Sequence, residues 1–465
     1  MLLIKNGYVL DPQSGREGIY DILIDNNRIK RIEPFIMESG LTEEERNNLQ
    51  IIYADNMMVA PGLVDVHVHF RDPGFTYKED IYTGAKAAAK GGFTTVVLMA
   101  NTKPTVDNPD TLHYVIEKGK ETDIHILTCA SITKELKGQE LTDMDTLKEI
   151  GAVGFTDDGI PMLDESMVIA AMKKAKKLNV PLSFHEENPG LITNNGINHG
   201  KASEYYNIEG SPRAAEIDLI SRDLSLATKL DAPINIQHIS SKEGVELVRQ
   251  AKLEMILKKK LSLSESKKDI SDRNLTEQAA TQIIPSKIAR MINIHSEATP
   301  HHFSLTEEAV IKHGTLAKMN PPLRTEQDRQ SIIHGLKDNT IDIIATDHAP
   351  HSADEKAKPI TEAPSGIIGL ETAFSLGVTN LVKEGHLTYM ELLEKMTINP
   401  AAMYHLDCGY IAEGGPADLI IFNENSYTID NFCSKSDNSP FKGETLKGEI
   451  QYTICDGKII YKKIH

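Results

Sequence analysis

Cysteine is scarce in this sequence. Cys129, Cys408, Cys433 and Cys455 are scattered, and none belongs to a C-x-x-C pair. That spacing argues against a thiolate metal site or a disulfide framework, and for reduced thiols in a cytoplasmic enzyme. Also missing is any apolar run near the roughly 18 residues of a membrane span. The opening "MLLIKNGYVLDP" has no basic region followed by an apolar stretch, so no secretory signal is expected. Positive charge is in deficit: 50 Lys and Arg stand against 67 Asp and Glu, a formal net charge of -17. Such a chain is a poor general binder of nucleic acid or of anionic membrane. An anionic substrate therefore needs local positive charge, from a metal or a placed arginine.

What is present is ordinary for a globular protein: 40% hydrophobic and 25% charged residues over 465 positions. That length suits one large α/β domain plus a smaller one. The two ends share a texture. "LIKNGYVLD" and "YDILIDNNRIKRIEP" near the start match "ADLIIFN" and "YTICDGKIIYKK" near the end: short β-type runs broken by turn residues. They are expected to form one small composite β domain, residues 1–57 and 408–465, with 58–407 inserted between its halves.

The middle alternates. Strand-length apolar runs recur: "LVDVHVHF", "TTVVLMAN", "IHILTCAS", "AVGFTDDG", "VPLSFHEEN", "PINIQHIS", "MINIHSEA" and "IDIIATDHAP". Helix-like segments such as 79–90, 166–178, 212–230 and 327–339 lie between them. Eight β-then-α units predict a (β/α)8 TIM-type barrel; a doubly wound open sheet is the alternative. The polar ends of the runs favour the barrel. Run one carries His67 and His69, run two ends in Asn101, and run four in Asp157 and Asp158. Run five ends in His185, run six in His238, and run eight in Asp347 and His348. A barrel opens all those ends onto one face. An insertion near 253–290, rich in lysine and serine, breaks the rhythm. It reads as a solvated surface elaboration or as a partner contact.

Alternate strand residues point the same way, so His67 and His69 can grip one ion. His185, His238 and Asp347 complete a candidate set without cysteine, which suits a catalytic rather than a structural metal. A bound divalent ion lowers the pKa of its water toward about 7. Asp347 is the candidate acid/base that takes a proton from that water. Arg71 offers a planar fork suited to a carboxylate, that of a strand-end salt bridge or that of a substrate.

The strings "GLVDVHVHFRDPG", "MANTKPTVDN", "FTDDG", "ATPHH", "MNPPLR", "ATDHAPH" and "APSGIIGLET" resemble those of the cyclic amidohydrolases and, more narrowly, of class I dihydroorotases. The likeness covers nearly the whole chain. It implies reversible cyclisation of N-carbamoyl-L-aspartate to L-dihydroorotate plus water in de novo pyrimidine synthesis, by metal-activated hydroxide. It implies one or two Zn2+ ions held by His67, His69, His185, His238 and Asp347. Many relatives bridge two metals with a carboxylated lysine at strand four. Here no lysine lies between Gly151 and Pro161, and the resemblance places an aspartate there, Asp158 in preference to Asp157. Arg71, Asn101 and His351 are implied to hold the substrate carboxylate, and Asn320 to line the pocket. The loop from His351 through Pro364 to Gly366 is implied to cover the site. His301, His302, His199 and His334 are expected to be structural. A homo-oligomer and an aspartate transcarbamoylase partner are the associations implied. The rival functions are allantoinase, dihydropyrimidinase, and a non-catalytic homologue that scaffolds aspartate transcarbamoylase.

Overall fold

The structure, a computed structural model, describes residues 1–266 and 284–464. Eight parallel strands pair in chain order: Leu63–Val68, Phe93–Leu98, His125–Ala130, Gly154–Thr156, Leu182–Phe184, Ile234–Ile236, Ile294–Ala298 and Ile343–Ile344. A parallel bridge from Val68 to His348 joins the first strand to the segment after the eighth and closes the barrel. The open-sheet alternative is thereby excluded. The expected insertion near 253–290 lies in part outside the described residues; helix Lys242–Ser266 leads into it.

The helices begin and end where local chemistry dictates. Asp80 caps Ile81–Gly91 by accepting from the Thr83 amide at 2.9 Å. Gly92 ends that helix at φ 91°, a left-handed position that glycine adopts without a Cβ clash. Asp164 caps Glu165–Leu178 in the same way, and Thr325 and Asp328 form a capping box on Glu326–Lys337. Asp328 then takes the Arg213 guanidinium in a bidentate pair, tying that helix to Arg213–Leu230.

Two apolar cores hold the barrel. Outward residues such as Val96, Leu98, Ile234 and Ile294 pack with helix residues such as Ala88, Ile220 and Ile333. Val64, Val97, Met99, Cys129 and Ile343 cluster with Met403 and Tyr404. Each fully buried aliphatic side chain of this kind contributes about 1.5–3 kcal/mol.

The chain ends form a second, separate sheet. Its order is Lys458–Lys462, Thr445–Cys455, Leu419–Thr428, Met58–Pro61, Leu2–Asp11, Arg16–Asp25 and Arg28–Glu33, with Gln50–Tyr53 also pairing Leu2–Asp11. Asp456 and Gly457, both at positive φ, make the tight turn before the last strand. Met58–Pro61 pairs with strands from both ends, stitching the two halves together immediately before the first barrel strand. No helix of the described residues is long and apolar enough to cross a membrane.

Candidate metal centre and active site

The C-terminal ends of the barrel strands bring His67, His69, Asp158, His185, His238 and Asp347 together, all buried. Two overlapping groups share Asp158: His67, His69 and Asp158, then Asp158, His185 and His238. The donor atoms of each group lie within 4.8 Å of one another. Asp158 Oδ1 is 3.5 Å from His67 Nε2 and 3.7 Å from His185 Nδ1, and its Oδ2 is 3.4 Å from His69 Nε2. Asp347 Oδ1 lies 3.0 Å from His69 Nε2 and 3.5 Å from His67 Nε2.

Asp157 faces elsewhere. Its carboxylate accepts the Ile132 and Thr133 amides at 2.8 and 3.1 Å and the Thr133 hydroxyl, fixing the turn after strand three. Burial pushes its pKa up to about 6, against those hydrogen bonds. Burial opposes ionisation of Asp158 too. There, however, the His67 hydrogen bond and three imidazoles hold the carboxyl well below its usual range.

The histidines are pulled in opposite directions. His67 is desolvated, yet Asp347 and Glu297 raise it well above its ordinary value. His238 is driven well below by burial and by His185 and His67. His185 Nδ1 and His238 Nε2 face each other at 3.0 Å, while His238 Nδ1 is buried without a hydrogen-bond partner. Crowded imidazole nitrogens around a shared carboxylate, with a buried nitrogen left unpaired, fit a divalent cation with nitrogen and oxygen ligands.

Several contributors carry no signal in a linear reading. Glu297, from strand seven, sits 3.0 Å from His67 Nδ1, and Asn235 Nδ2 donates to its other oxygen. That pairing leaves His67 Nε2 facing the centre. Gln237 Nε2 approaches His67 Nε2 at 3.5 Å, and Glu187 Oε2 lies 3.4 Å from His185 Nε2. Three site residues adopt positive φ: Arg71 at 58°, His238 at 31° and Asp347 at 47°. Such conformations cost about 1–3 kcal/mol each and collect at functional sites.

A cavity of about 430 Å³ opens over this cluster, lined by Arg71, Asn101, Asn320, Ser365 and Gly366 besides the metal-type residues. A larger cleft of about 720 Å³, between Lys90, Glu371 and Tyr427, gathers no comparable set of ligands. Asn101 bridges His69 Nδ1 at 3.0 Å and Asp158 Oδ2 at 2.9 Å. Asn320 Nδ2 is 3.2 Å from His185 Nε2. Arg71 donates through Nε to the Pro350 carbonyl at 3.3 Å and approaches His351 Nε2 at 3.5 Å. Among the described residues it makes no ion pair with a carboxylate. Burial, with Arg71 and Lys78 nearby, depresses the His351 imidazole far below its ordinary value. In the loop leading to Gly366, the Pro364 carbonyl accepts from buried Lys356 at 2.9 Å. His302 is locked between Thr299 Oγ1 and the Pro321 carbonyl.

This barrel, with its sheet of both chain ends, has the fold of the hydantoinases. It superposes on an L-hydantoinase (dihydropyrimidinase) from Arthrobacter aurescens with a TM-score of 0.81 at 21% identity, covering 100% of this chain and 96% of that one. A dihydropyrimidinase from Brevibacillus agri NCHU1002 gives 0.76 at 18%, covering 99% and 95%. The sequence relationship is narrower. A dihydro-orotase-like family model matches residues 56–244. Dihydroorotase of Clostridioides difficile (strain 630) is 51% identical over 99% of this chain and 100% of its own. That of Clostridium acetobutylicum is 50% identical over 99% and 100%, and that of Lactococcus lactis subsp. lactis 46% over 99% of each. The chain belongs to the dihydroorotase family.

Proposed function

We propose that this protein interconverts N-carbamoyl-L-aspartate and L-dihydroorotate plus water, with zinc in the cluster around Asp158. The supporting observation is the pairing of that cluster with Arg71, a guanidinium without an ion-pair partner among the described residues, on the wall of one cavity. Metal-type ligands alone fit many hydrolases. A cation facing the cavity without a carboxylate of its own suits a substrate that brings one.

His67, His69, Asp158, His185, His238 and Asp347 would hold one or two zinc ions. Bound zinc supplies Lewis acidity toward a carbonyl and a lowered pKa for water. The chain's own groups do the rest. Arg71, Asn101 and His351 bind and orient the substrate carboxylate, and Asn320 borders the ring. In hydrolysis the water oxygen adds to the ring amide carbon as Asp347 accepts the proton. The carbon–nitrogen bond then breaks as Asp347 returns that proton to nitrogen. Synthesis reverses each step: the carbamoyl nitrogen attacks the carboxyl carbon, and water leaves. His67 and His69 keep the Asp347 carboxylate ionised against burial, the form that can accept the proton.

The loop through Pro364 and Gly366 forms one rim, with Gly366 packed against Ala349 and His351. A cytoplasmic location, a homo-oligomer and an aspartate transcarbamoylase partner belong to the same proposal and rest on the family likeness. The test is turnover of dihydroorotate, dihydrouracil and allantoin by the purified, metal-assayed protein. Turnover confined to dihydroorotate supports the reading, and turnover of either neutral ring alone overturns it.

A further inference from the structure

The cysteines are scattered in sequence, yet the fold brings Cys455 to a histidine and a carboxylate far from the active site. His125 opens the third barrel strand, at the end opposite the catalytic face. Asp418 immediately precedes Leu419–Thr428, and Cys455 ends Thr445–Cys455. Their ligand atoms lie within 4.8 Å of one another. His125 Nε2 is 3.1 Å from Asp418 Oδ2 and 3.9 Å from Asp456 Oδ1. The Asp456 amide donates to Asp418 Oδ1 at 2.8 Å, which holds this second carboxylate at the rim. The Cys455 thiol makes a long contact, 3.7 Å, to the Thr94 carbonyl and also bears on the Asp418 carboxylate.

The charge is unbalanced. Two carboxylates and a thiol share one imidazole, and among the described residues neither carboxylate pairs with a lysine or arginine. Asp418 and Cys455 are buried, whereas His125 is partly exposed and Asp456 largely so, giving an ion a way in. Sulfur, nitrogen and oxygen donors on three separate segments suit a borderline ion of the zinc class. Asp418 alone already links the two domains, since its carbonyl accepts the Gly62 amide at 2.8 Å.

We propose that His125, Asp418 and Cys455, with Asp456 at the rim, form a second metal site that clamps the terminal sheet to the base of the barrel. Its occupant is a zinc-class divalent ion. As the metal–sulfur bond forms, the Cys455 thiol releases its proton to solvent and the donors draw in around the ion. The site is independent of the catalytic reading, because the active-site cluster contains no sulfur.

Cobalt(II) distinguishes the two sites, since only a thiolate ligand gives a near-ultraviolet sulfur-to-cobalt charge-transfer band. The full-length protein is stripped with a chelator, reloaded with cobalt and scanned. The proposal expects this band in wild type, its loss in Cys455→Ser, and its retention in Cys433→Ser. It also expects one fewer bound metal ion per chain in Cys455→Ser, with substrate turnover retained. A wild type without the band overturns the proposal, and so does a band that survives Cys455→Ser. If Cys455→Ser fails to fold, His125→Gln decides: a weakened band at equal cobalt supports the site, and an unchanged band refutes it.

Discussion

His67 Nδ1 and Glu297 Oε2 lie 3.0 Å apart, two buried groups 230 residues distant in sequence. Glu297 is itself anchored by Asn235. In Glu297→Gln the amide oxygen can keep the Asn235 contact, which turns the new NH2 toward His67 Nδ1. The imidazole must then carry its proton on Nε2, where it faces the metal-type ligands. Metal affinity is expected to fall by about 10–100-fold, the usual effect of losing such a partner. Competition with a chelator measures it, and an unchanged affinity would show that Glu297 does not orient His67.

Neighbouring aspartates should behave differently. Asp158→Ala removes the carboxylate shared by both ligand groups, so bound metal and turnover should both collapse. Asp157→Ala instead leaves the Ile132 and Thr133 donors unpaired, at about 1–3 kcal/mol of stability, with metal content largely kept. Metal analysis beside thermal melts separates the two, and the opposite ranking would move the bridge to Asp157.

Arg71→Gln keeps a polar group but removes the fork and the charge. Hydrogen bonds to charged groups are worth about 1.5–3 kcal/mol, so kcat/KM for dihydroorotate should drop about tenfold to a hundredfold. Most of the loss should fall on KM, because the carboxylate is bound alike before and during the reaction. A loss confined to kcat would place Arg71 in the chemistry rather than in binding.

At the base of strand eight, Asp342 is paired with Lys252 and with His295. Burial opposes its ionisation, but Lys252 and the hydrogen bond from His295 hold its folded pKa below the ordinary 3.8. A depressed carboxylate stabilises the fold fully above its unfolded pKa and loses that contribution as pH falls toward the folded value. Asp342→Asn should therefore cost about 3–5 kcal/mol near pH 7, the penalty for breaking a buried pair. The gap from wild type should narrow below pH 3.8. Denaturant melts across that range check this, and a gap that stays constant with pH would show that the pair is not the cause.

Much of this was legible in one dimension because strand ends and helix caps are local chemistry. The alternating runs foretold the barrel, and Asp80, Asp164 and Thr325 start their helices within a residue or two of the places the spacing implied. His67, His185, His238 and Asp347 stood out as polar ends on apolar runs. Glu297 and Asn235 did not, because each looks like one polar residue inside a core strand and acquires meaning only across the barrel. Nor could spacing distinguish Asp157 from Asp158: one peptide bond turns one carboxylate toward backbone amides and the other toward imidazoles. Cys455 was set aside for want of a nearby cysteine. A ligand group assembled from residues 125, 418 and 455 leaves no linear pattern.

On the proposed function, dihydroorotase activity needs both a metal at the Asp158 cluster and the cation of Arg71. The most direct measurement is dihydroorotate turnover by the purified protein before chelation, after chelation and after zinc is restored. The account predicts turnover that is lost with the metal and recovered with zinc. Dihydroorotate left untouched by the zinc-loaded protein, or turnover that persists in the fully stripped protein, would contradict it.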